Sequence, residues 1–171
     1  MSEAADRKSN LDHPDLPRVK AAFPDCRFQA SEFRGQTTLV VSRERAHEVL
    51  RFLHDDADCS YEFLTDITAV DYLEYPVETG GRFSVVWVIK SHTTNRELLV
   101  KTWLDPTMDT EGIQVDPGLE VDSACDIWPG AEWMEREVYD MFGIQFKNHP
   151  DLRRILLWKD YPAHPLRKDY P

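Results

Sequence analysis

The chain has 171 residues and carries 31 Asp and Glu against 20 Lys and Arg, a formal net charge of −11. Affinity for nucleic acid and for anionic lipid surfaces rests on Lys and Arg, so this balance argues against both as direct partners. With 42% apolar and 11% aromatic residues the chain is too hydrophobic for a disordered acidic tail, and its length suits one domain with a packed core.

Met1 to His13 is polar and mixed in charge, without the apolar stretch of a signal peptide. Leu16, Val19 and Phe23 then recur at i, i+3, i+7 and predict a short helix, with Pro14 and Pro17 at its first turn and Pro24 as its stop. Arg27 to Phe33 and Gln36 to Val41 read as a hairpin across Gly35. Ser42 offers an N-cap, and Ala46, Val49, Leu50 and Leu53 give Arg43 to Leu53 one apolar helical face. From Tyr61 to Tyr72 the pattern is ambiguous. Thr65, Ile67 and Thr68 favour strand, and Asp71 reads as a breaker.

Phe83 to Lys90 is apolar on both faces, which predicts a central strand covered on both sides. Its longest apolar run, Val85 to Ile89, is far below the ~20 residues of a membrane span. Ser91 to Asn95 forms a loop, and Glu97 to Leu104 returns as the antiparallel partner. Residues 105–132 hold eight acids and no Lys or Arg, and with Pro106, Pro117 and Gly118 this connector reads as irregular. Ala131 to Phe142 is the second strong helix. Met134, Val138 and Met141 form its apolar stripe; Glu132, Arg136 and Asp140 lie at i, i+4, i+8 as a predicted salt-bridged row; Gly143 ends it. Ile144 to Phe146 reads as a turn or strand, and Pro162, Pro165 and Pro171 predict an extended tail. The fold class is therefore α+β: a mostly antiparallel sheet flanked by helices, with an extended C-terminal arm. Residues 1–132 form the α+β body including the connector, and residues 133–171 the last helix and arm, within one structural domain.

The sequence offers little catalytic chemistry. Cys26, Cys59 and Cys125 are isolated, without a CxxC pair, and read as reduced thiols. No GxGxxG, GxxxxGK[ST] or GxSxG motif occurs. Glu135 and Glu137 point about 100° apart on a helix and do not converge as an acid–base pair. Metal ligation needs two or three donors at short spacing, such as HExxH, and none is present. The echoing segments His149-Pro150-Asp151-Leu152-Arg153-Arg154 and His164-Pro165-Leu166-Arg167-Lys168-Asp169 read instead as chain bends that present a basic patch. Arg153, Arg154, Arg167 and Lys168 are interleaved with Trp158, Tyr161 and Tyr170, the residue types of interface cores. Such an arm either wraps its own domain or docks on a partner. A stand-alone metal-dependent hydrolase using Asp66, Asp71 and His149 is the rival from another class, and a soluble adaptor the third reading.

The run Glu135-Arg136-Glu137-Val138-Tyr139-Asp140-Met141-Phe142-Gly143-Ile144-Gln145-Phe146, followed by His149 to Leu156, Trp158 and His164 to Pro171, resembles a family of NADH–quinone oxidoreductase chains, the C or 30 kDa subunit of respiratory complex I. Asp126 to Trp133 and Leu64 to Tyr72 match it as well, so the resemblance covers nearly everything after about residue 20. It implies a non-catalytic structural subunit of the hydrophilic arm, peripheral on the cytoplasmic side of the cell inner membrane and held there only through partners. It implies docking to the D subunit, which forms the quinone site, and to other hydrophilic-arm subunits. FMN, iron–sulfur clusters and quinone would sit on those partners and none on this chain. Related subunits serve membrane-bound hydrogenases and photosynthetic complexes. Some members run on past the Arg-Lys-Asp-Tyr-Pro motif, where this chain stops. The expected docking residues are Glu135, Arg136, Glu137, Asp140, His149, Arg153, Arg154, His164, Arg167, Lys168 and Asp169, with charge-assisted arginine bonds to the partner.

Overall fold

The computed structural model describes residues 12–109 and 115–170. Most of the polar opening, the middle of the acidic connector and Pro171 lie outside the described residues. Helix α1 (Asp15–Ala22) buries Val19 and sets Phe23 edge-on to Phe52, ring centroids 5.7 Å apart. Strands β1 (Gln29–Phe33) and β2 (Gln36–Val41) pair antiparallel across Arg34 and Gly35. Both turn residues have positive φ, 52° and 83°, the backbone a two-residue hairpin needs to match strand twist.

The predicted helix after Ser42 begins differently. Arg43–Arg45 is a 3-10 turn, and helix α2 (Ala46–Asp55) follows. The Ser42 side chain makes no cap; its carbonyl accepts from the Arg45 N–H at 3.1 Å instead. The apolar face is as predicted, with Ala46, Val49, Leu50 and Leu53 buried.

Strands β3 (Phe63–Asp71), β4 (Phe83–Ser91) and β5 (Arg96–Leu104) complete a five-stranded sheet in the order β1-β2-β5-β4-β3. Every pairing is antiparallel except β2 with β5. Asp71 does not break β3. It pairs with Phe83 as the strand's last residue, because Arg82 and the arm neutralise it (below). Phe83, Val85, Trp87, Ile89, Leu98, Val100 and Leu104 form one buried face. The opposite face of β4 and β5 is only half-buried at Val86, Val88, Leu99 and Trp103, so the predicted double cover is absent. Lys101 shields part of that face, with its ammonium 3.7 Å from the Trp103 ring centroid and donating to the Tyr72 hydroxyl at 2.7 Å.

The acidic connector is pinned rather than merely solvated. The buried Asp116 carboxylate accepts the N–H groups of Thr107, Met108 and Gly118 and the Thr107 hydroxyl. A 3-10 turn at Pro117–Leu119 leads into β6 (Glu120–Asp122), which pairs parallel with β7 (Gln145–Lys147). Helix α3 (Ala131–Phe142) lies between them in sequence and packs on β3. Gly143 ends α3 with φ 72°, its N–H on the Tyr139 carbonyl at 2.8 Å, as the sequence predicts. The architecture is thus α+β: among the described residues, a mixed and mostly antiparallel sheet flanked by three helices.

Candidate docking site

Asp140 faces inward from α3 and is fully buried. Its Oδ2 accepts three successive N–H groups of the arm: Ile155 at 3.0 Å, Leu156 at 2.7 Å and Leu157 at 2.9 Å. Its Oδ1 accepts from Arg154 Nη1 at 2.6 Å. Burial alone would raise this carboxyl, but the three N–H groups and the guanidinium outweigh it and hold it below the usual carboxylate range. Arg154 also donates to the carbonyls of Asp140, Tyr161 and Ala163. One ion pair therefore ties α3 to two stretches of the arm.

The predicted row along α3 is not salt-bridged. Arg136 donates to the carbonyls of Arg153 and Arg154, at 3.1 and 3.2 Å, and Asp140 takes Arg154. The arm's backbone runs alongside α3 and supplies better-placed partners than the helix's own neighbours. His164 is buried and donates from Nδ1 to the Asp140 carbonyl at 2.9 Å, since a carbonyl can only accept. Burial, helped by Arg167 and Arg154, pushes its pKa down to about 4, so the ring is neutral at pH 7. Arg167 is buried too and donates to the Phe142 carbonyl at 2.6 Å. Farther on, Lys168 N–H donates to Asp71 at 2.9 Å, and Arg82 bridges Asp71 and Asp169 at 3.0 and 2.8 Å.

The arm is accordingly not a simple extended tail with a basic patch. It turns at His149, Trp158, His164 and Arg167 through local backbone hydrogen bonds. Of its four predicted basic side chains, Arg154 and Arg167 point inward, while Arg153 and Lys168 are exposed. Glu137 and Asp169 are exposed as well. The folded arm and α3 also display large apolar side chains: Trp133, Leu156, Trp158 and Leu166 are each more than half exposed, at 63%, 62%, 66% and 54%. Periodicity does not single out Trp133 or Leu156, because each sits in a helix or arm register that also suits burial.

Glu135 is fully buried on the other side of α3. It accepts from Ser123 Oγ at 2.6 Å, the Ala124 N–H at 2.7 Å and Cys125 Sγ at 3.5 Å. Burial pushes its carboxyl up to about 7 against those bonds, and pushes the Cys125 thiol up to about 12. His149 lies beside this pair, with its Nε2 donating to the Glu132 carbonyl at 3.0 Å. Asp66 is exposed on β3 and Asp71 is committed to Arg82, so the hydrolase triad has no support here; His149 meets Cys125 and Glu135 instead.

A family model described as "Respiratory-chain NADH dehydrogenase, 30 Kd subunit" matches residues 39–171. The chain belongs to that family. It is 43% identical over 154 residues to the C subunit of the NADH-quinone oxidoreductase of Citrifermentans bemidjiense, covering 90% of this chain and 86% of the relative. It is 40% identical to the same-named protein of Roseiflexus castenholzii, over 94% and 85%. A solved trypsin-resistant fragment of Nqo5 shares the fold at TM-score 0.61 and 30% identity, covering 80% of this chain and 96% of the fragment. Members of this family are chains of a hetero-oligomer, and exposed aromatic and leucine side chains on α3 and the arm are what a contact between chains needs. No helix among the described residues is long and apolar enough to cross a membrane.

Proposed function

We propose that the chain is a non-catalytic structural subunit of the hydrophilic arm of a proton-translocating NADH–quinone oxidoreductase, and that α3 and the C-terminal arm dock on the quinone-site D subunit. Attachment to the cytoplasmic side of the inner membrane would then run through partner subunits, and FMN, iron–sulfur clusters and quinone would sit on those partners. The observation that carries this reading is the exposed set Trp133, Leu156, Trp158 and Leu166, held on backbone that the Asp140–Arg154 pair fixes in place. Large apolar groups displayed on a rigid frame lose little entropy on docking.

The predicted docking residues divide into two roles. Glu137, Arg153, Lys168 and Asp169 are exposed and would meet the partner directly. Arg136, Asp140, Arg154, His164 and Arg167 would shape the surface from within, as would Glu135 and His149 at its edge. The double variant Trp158→Ala, Leu156→Ser should fold with wild-type stability yet lose most of the quinone-site subunit that co-purifies from gently solubilised membranes. Full recovery of that partner with the variant would refute the surface. Recovery of a hydrogenase large subunit in its place would move the chain to the related complexes.

A further inference from the structure

We propose that Cys125, Glu135 and His149 together bind one divalent metal ion of the zinc class. The three donors come from three separate segments: the loop before α3, the second turn of α3, and the loop after β7. Their ligand atoms all lie within 4.8 Å of one another. The Cys125 Sγ to Glu135 Oε2 distance is 3.5 Å. Two ligands at about 2.3 Å (sulfur) and 2.0 Å (oxygen) from a tetrahedral ion are separated by about 3.5 Å, so this pair needs no rearrangement to share one. The His149 ring lies within 4.8 Å of both other donors and sits on the loop after β7 rather than inside a helix or strand, so its side chain can turn toward a shared ion.

The surroundings support the donors. Glu135 Oε1 is fixed by the Ala124 N–H and Oε2 by the Ser123 hydroxyl, so the carboxylate presents a set orientation. On ligation the His149 ring gives up one of two bonds. One is Nε2–H to the Glu132 carbonyl; the other is Nδ1 to the Asp151 N–H, at the surface where water replaces it. A cavity of about 370 Å³ is lined by His47, Asp122, Ser123, Asp126 and Asn148; it adjoins the cluster through Ser123, which bonds Glu135, and Asn148, the chain neighbour of His149. Two of those lining residues are acids.

The donor set decides the class of ion. Thiolate with imidazole and carboxylate suits zinc and its neighbours, whereas magnesium and calcium take oxygen donors. On binding, the Cys125 S–H bond breaks, its proton leaves to solvent, and an S–metal bond forms. Three protein ligands leave the fourth position to water. The ion would tie the acidic connector, α3 and the root of the arm into one cross-link. Short-spacing motifs cannot reveal such a site, because its donors are 10 and 14 residues apart in sequence.

Titration of the purified, reduced full chain with Co²⁺ tests this. One Co²⁺ per chain should bind with a near-ultraviolet thiolate-to-cobalt band, and one equivalent of Zn²⁺ should abolish it. Cys125→Ser, an isosteric change that leaves Cys26 and Cys59 in place, should abolish the band while the far-ultraviolet circular dichroism stays wild type. His149→Ala should weaken Zn²⁺ binding at least tenfold. Absence of the band in the wild-type chain, an unchanged band in Cys125→Ser, or Zn²⁺ affinity unaltered by His149→Ala would each overturn the proposal.

Discussion

Asp140 on α3 and Arg154 on the arm form a buried ion pair, Oδ1 to Nη1 2.6 Å, whose other bonds go to the backbone of the arm and to the Asp140 carbonyl of α3. A carboxylate can accept from three successive N–H groups and a guanidinium at once; an amide cannot. Asp140→Asn would also leave the Arg154 cation buried without its counter-charge. The expected loss of folding stability is about 3–5 kcal/mol, read from the urea midpoint. Arg154→Met alone should cost a similar amount. The double variant should cost clearly less than both together, since neither buried charge is then left alone. Strict additivity would show that the two residues act independently.

Gly143 supplies a second test. Its φ of 72° is costly for any residue with a Cβ, and a Cβ there would collide with Arg167 Nη2 and lie 2.6 Å from His164 Nε2. Gly35 has a similar φ of 83° but open space around it. Gly35→Ala should therefore cost only the backbone term, about 1 kcal/mol. Gly143→Ala should cost about 3 kcal/mol, because the arm must also shift. Equal losses at the two sites, by thermal or urea unfolding, would mean the arm does not press on Gly143.

Helices and strands that carry a clean period are legible from sequence. Ala131–Phe142 and the Leu53 face of α2 follow from apolar spacing, and Gly143 from the need for positive φ. What the sequence hides is the destination of polar groups. Asp71 reads as a strand breaker because its partners, Arg82 and the Lys168 N–H, are 11 and 97 residues away. Arg154 and Arg167 read as a docking patch because exposure of an arginine depends on whether distant carbonyls lie within reach. The cluster of Cys125, Glu135 and His149 is invisible for the same reason. Local propensity reports the backbone; it says nothing of long-range hydrogen bonding.

The far end of the arm depends on Asp71. Burial would raise this carboxyl, but Arg82 and the N–H groups of Lys168 and Leu73 more than offset it and hold it below the usual range. Asp71→Ala removes the acceptor for Lys168 and half of what Arg82 bridges. Amide hydrogen exchange at Lys168 should then speed up by at least tenfold while β4 and β5 keep their protection. If Lys168 exchanges as slowly as in the wild type, the end of the arm is held by something else.

His164 makes stability depend on pH in a direction that can be worked out. Its folded pKa is about 4 against 6.5 for the free side chain, with burial as the main cause and Arg167 and Arg154 adding to it. The unfolded chain therefore takes up a proton below pH 6.5 that the folded chain refuses until about pH 4. The stability that depends on a neutral ring is fully present above pH 6.5 and is lost as pH falls toward 4. Between pH 7 and pH 5 the loss amounts to about 2 kcal/mol. The groups facing the ring are Arg154, Arg167, Asp140 and Tyr139. His164→Asn keeps a donor for the Asp140 carbonyl and cannot titrate, so subtracting its stability-against-pH curve from the wild-type curve isolates the histidine. The difference should steepen below pH 6.5, with the wild type losing more on acidification. Parallel curves from about pH 7 to about pH 5 would show that His164 is as easily protonated in the folded arm as in water.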